Sequence, residues 1–221
     1  MQGILHISES WADPLTGLRK SIGVILAVLL VEAFFIWLGG RGIGISPVYI
    51  LAVARIVDLG ILTLGGPGWF RQTPPGREIM KAFGLTAVLL LAGIVFLTAW
   101  RAILGTPFLR VGRGPFSLTP IPGTVFFLNA CLISPVVEEF LFRGILYRGL
   151  RERLGIWVST GLVSLLFALI HLHFSRQALV PFLGSIIFCL GYEKNKSIWT
   201  PILLHIGGNL LIFGSGLLSF I

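Results

Sequence analysis

Two consecutive glutamates, Glu138 and Glu139, sit in the apolar run Ser-Pro-Val-Val-Glu-Glu-Phe-Leu-Phe-Arg from Ser134 to Arg143. In a lipid-bound chain an ionisable group at such a place costs about 2.5 to 3.5 kcal/mol on insertion scales, so it marks function by default. On a helix, Glu139 and Arg143 are four residues apart with the acid on the N-terminal side, the favoured order for an ion pair. That pairing neutralises one carboxylate. Glu138 points about 100° away around the same helix and has no cation at pairing distance in sequence. A carboxylate held out of water and left unpaired suits a general base.

Two further apolar runs carry polar side chains. His171 closes the run Phe167-Ala-Leu-Ile-His171, where an imidazole within reach of a carboxylate can hold and polarise a water; His173, two residues on, reads as an interfacial side chain. His205-Ile-Gly-Gly-Asn209 puts two hydrogen-bond donors four apart on one helical face. Such donors stabilise a developing oxyanion by about 3 to 4 kcal/mol each. Gly207 and Gly208 thin this helix, so that another backbone or a substrate can approach closely. Taken singly, each motif has a plainer reading: His171 as a side chain satisfied by headgroups, and His205 with Asn209 as interhelical hydrogen-bond glue. Arg55 and Asp58, three apart, read as a structural ion pair, and Glu32 as a group reaching an interface or a neighbouring helix. Arg148, Arg151 and Arg153 read as a basic cytoplasmic edge.

The elements that must position these residues follow from composition. Of 221 residues, 55% are hydrophobic and 12% charged, and the mean hydropathy is +0.94. An ordinary soluble domain is about 25% charged. The expectation is an all-α, polytopic transmembrane helix bundle, one integral membrane domain over 1–221, with the active site inside the bundle. Apolar runs fall at about 21–38, 46–64, 82–100, 122–147, 156–172, 178–191 and 198–219. A span needs roughly 20 residues to cross about 30 Å of hydrocarbon. The first run follows Arg19 and Lys20 as a signal peptide would, but it lacks a small-x-small cleavage site, so it reads as a retained first helix.

The fourth run is the unusual one, because 123–154 is nearly unbroken helix former, about 48 Å at 1.5 Å per residue. Pro135 is the expected break, giving one kinked helix or two, and so seven or eight spans. With seven, His171 falls near the far end of its span. Glu138 and His205 lie about 12 to 15 Å from the cytoplasmic side and would not meet it. A break at Pro135 would bring the three to one depth, so a catalytic reading favours eight.

The formal charge of +8 comes from 17 basic residues spread over short loops, which argues for membrane orientation rather than nucleic acid. With seven spans, the N-terminal side carries Arg19, Lys20, Arg71, Arg77, Lys81, Arg148, Arg151, Arg153, Lys194 and Lys196. The other side carries Arg41, Arg101, Arg110, Arg113 and Arg176. The bias puts the N-terminus in the cytoplasm. The stretch from Arg101 to Pro122, with its four prolines, suits the membrane interface. Cys131 and Cys189 have no partner spacing and imply neither a disulfide nor a zinc motif.

Glu-Glu-x-x-x-Arg at 138–143, Phe-x-x-x-His at 167–171 and His-x-x-x-Asn at 205–209, in this order, resemble the CAAX protease and bacteriocin-processing family, which includes the Ras-converting prenyl-protein endopeptidases. The matching stretch runs from about Pro135 to Leu211; the first 120 residues resemble the family only in being hydrophobic. The resemblance implies that Glu138 and His171 activate the attacking water and that His205 and Asn209 form the oxyanion hole. It also implies that Glu139 and Arg143 support the site, Arg143 also holding substrate. No cofactor is implied.

The leading expectation is therefore a glutamic intramembrane endopeptidase of the cell membrane, of the kind found in a bacterial inner membrane. Its partners are the lipid bilayer and a membrane-associated protein or peptide cut near its C-terminus or a membrane-proximal segment. Two alternatives stand beside it. The same residues suit Zn²⁺, although the H-E-x-x-H spacing is absent; or the chain is a non-enzymatic immunity factor, membrane scaffold or proton-relay transporter. The absence of a serine or cysteine beside a base motif argues against a rhomboid-type protease, and the absence of paired aspartate motifs against a presenilin type.

Overall fold

The computed structural model describes residues 14–65, 76–105, 120–171 and 178–218. Arg71, Arg110, Arg113, Arg176 and His173 lie outside the described residues. The described chain is helical with no strand: α1 Pro14–Gly39, α2 Pro47–Gly65, α3 Gly76–Leu104, α4 Pro120–Leu128, a π-helical segment Asn129–Ile133, α5 Ser134–Glu139, a second π-helical segment Phe140–Tyr147, α6 Arg148–His171, α7 Leu179–Asn195 and α8 Trp199–Leu218. Among the described residues four stretches are long and apolar enough to cross a membrane, Arg19–Gly39, Pro47–Gly65, Ile79–Leu104 and Ile121–His171, and Trp199–Gly214 is a shorter apolar helix. The exterior is apolar as a bilayer requires: Ile36, Leu64, Ile103 and Trp157 are each more than 70% exposed. These features are those of a multi-pass membrane protein.

Ile121–His171 is 51 residues long, about 75 Å if straight, and it is not straight. The expected break at Pro135 does not occur. Ile133, Ser134 and Phe140 all keep right-handed helical dihedrals, and Pro135 opens α5 within a continuous helix. Proline has no N–H to give and its ring crowds the carbonyl four residues back. Here a π-turn precedes it, with the Ser134 N–H donating to Asn129 O five residues behind, and the widened turn removes the conflict without ending the helix. The break lies instead at Gly155, with φ 74° and ψ 177°, a region open essentially to glycine.

Residues 156–171 then return along the helix they left. Phe142 meets Phe167 edge to face at 5.0 Å, and Glu138 meets His171. Both pairs are nearly symmetric about Gly155, which marks an antiparallel hairpin. Phe142, Tyr147, Val163, Phe167 and Cys189 form the core between the hairpin and α7. Val24, Val28 and Leu62 of α1 and α2 pack with Val137, Phe140, Ile145, Ile198 and Ile202 in a second core. α3 lies along α8, where a Cβ on Gly207 would come within 2.8 Å of Thr86 and one on Gly93 within 2.8 Å of Leu211. Gly207 therefore serves the approach of α3.

Candidate active site

The hairpin gives the depth relation that linear counting missed. Glu138 lies 17 residues before Gly155 and His171 16 after it, so both stand at the same height above the turn. The sequence-based objection to seven spans assumed that the fourth helix ends at 147. It runs on to 154, and the disagreement in depth disappears with no break at Pro135.

Glu138, His171 and His205 converge. Glu138 Oε2 lies 3.6 Å from His171 Nε2 and 3.9 Å from His205 Nε2. Both separations are too long for a direct hydrogen bond, and Oε2 is buried with no hydrogen-bond partner among the described residues. The other ring nitrogens are both engaged. His171 Nδ1 lies 2.8 Å from Phe167 O, and since a carbonyl only accepts, Nδ1 carries the hydrogen of this bond and Nε2 is the nitrogen turned to Glu138. His205 Nδ1 donates at 2.8 Å to Glu139 Oε1. Phe167 stacks on His171 at 4.3 Å and Phe188 on His205 at 4.8 Å, so each ring is fixed in plane as well as in hydrogen bonding.

Glu139 and Arg143 form the expected i,i+4 pair, Arg143 Nη1 donating to Glu139 Oε1 at 2.8 Å, and both side chains are wholly buried. Arg143 Nη2 donates to the backbone oxygen of Ser185 at 3.1 Å and to its Oγ at 2.5 Å. The guanidinium lies over the rings of Phe167 and Phe188 at 5.0 and 5.1 Å. Enclosed on all these sides, Arg143 ties α5 to α7, and the same carboxylate oxygen that holds it also holds His205. Ser185 and Phe188 were missed in sequence. The available signal was the surplus of Arg143 donors: five N–H groups need acceptors, and Ser185 is the one hydroxyl in the apolar run 179–191.

Asn209 stands one turn beyond His205, and its Nδ2 donates to Ala130 O at 2.8 Å, bridging α8 to the π-helical segment. That bond occupies one of its two amide hydrogens. The structure thus gathers Glu138, His171, His205, Glu139 and Arg143 into one contact set, with Asn209 anchored beside it.

Arg55 Nη1 donates to Glu32 Oε1 at 2.6 Å and to Asp58 Oδ2 at 3.0 Å. Glu32 therefore reaches the neighbouring helix and joins the Arg55–Asp58 pair. At the other end of the hairpin, Arg151 makes two hydrogen bonds to the Glu193 carboxylate, with Lys196 also paired to it and Tyr147 Oη donating to Oε1 at 3.2 Å. Burial acts to raise the Glu193 carboxyl, but the hydrogen bonds from Arg151 and Lys196 outweigh it and hold the group below 4.5. This cluster clamps the Gly155 turn to the α7–α8 connection. Cys131 and Cys189 are buried free thiols.

Residues 120–211 match the family model described as type II CAAX prenyl endopeptidase, Rce1-like, and bear out the resemblance carried by the three motifs. A curated relative from Bacillus subtilis (strain 168), YdiL, whose name marks it as a candidate membrane peptidase, is 27% identical over 81 residues, 37% of this chain and 33% of the relative. The chain thus matches about a third of that relative's length. No solved structure matches.

Proposed function

We propose that this chain, similar over residues 120–211 to the Rce1-like endopeptidases, is an intramembrane peptidase. It hydrolyses a peptide bond near the C-terminus or in a membrane-proximal segment of a membrane-associated protein. The observation that carries the proposal is Glu138 Oε2 facing the Nε2 atoms of both His171 and His205 at 3.6 and 3.9 Å. Neither contact is a direct hydrogen bond, and a water admitted beside the Glu138 carboxylate would bond to it and to the imidazole. A water donating one hydrogen to Glu138 and the other to His171 Nε2 keeps its own lone pair for attack on the substrate carbonyl. Glu138 takes the proton as the C–O bond forms and returns it to the leaving amine when the C–N bond breaks, with no covalent intermediate.

His205, its Nδ1 held by Glu139, turns Nε2 to the oxyanion as a donor. The free amide hydrogen of Asn209 is the second donor. Arg143 acts as a positioning residue through Glu139 rather than by touching substrate. The reaction uses no metal.

We read the finer architecture as seven crossings in a single domain, with 120–154 and 156–171 as the fourth and fifth; the bias of basic residues supports an N-terminus in the cytoplasm, and a bacterial inner membrane is the proposed location. Gly155 then turns at the cytoplasmic face beside Arg148, Arg151 and Arg153. The test compares the C-termini of all membrane proteins in cells carrying wild type and Glu138→Gln at equal membrane levels. A set of proteins trimmed only with wild type is expected. No difference in any C-terminus overturns the proposal.

A further inference from the structure

α7 and α8 are joined by the short turn at Lys196 and pack tightly where they begin to run side by side. A Cβ on Gly191 would come within 2.8 Å of Leu204 and 3.2 Å of Thr200. One turn further along α8, on the face of Leu204, lies Gly208, and a Cβ there would meet no described atom within 4 Å. Among the described residues the space over Gly208 is therefore open. The opening is next to the reacting groups: Gly208 is three residues from His205 and adjacent to Asn209, and Phe188 of α7 stacks on the His205 ring. The other glycine of the pair, Gly207, points to α3 and is filled by Thr86 and Leu90.

We propose that Gly208 forms the floor of the path by which an extended substrate backbone enters between α7 and α8 and reaches Glu138. The inference rests on the peptidase reading and adds the route. The absence of a side chain at 208 lets the substrate amides lie against the α8 backbone, directly below the His205 and Asn209 donors. The helix does not need glycine there, since alanine is the better helix former in a helix interior. A substitution at 208 therefore acts on the substrate and not on the fold.

Two measurements test it. N-ethylmaleimide reacts with thiolate, which forms in water and not in hydrocarbon. Gly208→Cys in membranes is expected to label, while wild type, with both native thiols buried, and Gly207→Cys stay unlabelled. On the C-termini that depend on Glu138, Gly208→Ala is expected to lower trimming by about tenfold and Gly208→Leu by about 100-fold or more, with the melting temperature in detergent no lower than wild type. An unlabelled Cys at 208, or a Gly208→Leu chain that trims as wild type does, overturns the path while leaving the peptidase reading in place. Trimming that persists in Glu138→Gln overturns both.

Discussion

Glu139 Oε1 accepts hydrogen bonds from His205 Nδ1 and Arg143 Nη1, each at 2.8 Å, while its neighbour Glu138 faces the Nε2 atoms of His171 and His205. Two carboxylates adjacent in sequence are thereby set to different tasks by the 100° that separates them on a helix. One is locked in a buried network and orients an imidazole; the other leaves its Oε2 without a hydrogen-bond partner among the described residues.

Glu138→Gln is expected to keep the fold, because the side chain is nearly isosteric and among the described residues has no direct hydrogen bond to lose. Loss of a general base typically removes about 10² to 10⁴ of rate. Mass spectrometry of membrane-protein C-termini, read beside an unchanged melting temperature, checks this.

Glu139→Gln should fail differently. It leaves the Arg143 charge buried without its counter-charge, which costs about 3 to 5 kcal/mol, and it loosens the His205 ring. The double variant Glu139→Gln/Arg143→Met removes both charges and is expected to recover most of the stability but not the activity. Parallel melting curves and trimming assays separate the two effects; recovery of both would show that Glu139 acts only through Arg143.

Gly155→Ala places a Cβ on a residue at φ 74°, ψ 177°. The strain is about 1 to 3 kcal/mol. Because Glu138 and His171 are in register only through this turn, trimming should fall together with the melting temperature. A variant with wild-type stability would show that the turn relaxes freely.

The Glu193 carboxyl is held below its ordinary value by Arg151 and Lys196 despite partial burial. A depressed folded value means that its contribution to stability is present above about 4.5, the unfolded value, and is lost as pH falls through the lower folded value. Melting temperature in detergent should therefore hold down to pH near 4.5 and drop below it. Glu193→Gln should be less stable at neutral pH and show a shallower acid limb.

Incubation with EDTA or 1,10-phenanthroline, followed by removal of the chelator, is expected to leave trimming unchanged. Lost activity that returns with Zn²⁺ would transfer the roles of Glu138, His171 and His205 to metal ligation.

Much of the site was legible in the chain because its signals are local. An acid and a base four residues apart share a helix face whatever surrounds them, so Glu139–Arg143 needed no tertiary information. Charges in apolar runs stand out by cost alone, which drew attention to Glu138, His171, His205 and the Glu32–Arg55–Asp58 group. What the chain could not show was how far each helix runs and where it turns. Proline at 135 is a stronger breaker by propensity than glycine at 155, yet a π-turn absorbed the proline, and a positive φ made the glycine a hairpin. The choice between them rests on packing, Phe142 against Phe167 and Arg143 into Ser185 and two rings, contacts between segments up to 45 residues apart. Residue types and their spacing determined which groups were available for chemistry; only the tertiary structure decided that Glu138 and His171 stand at one height, because that depends on where the helix reverses.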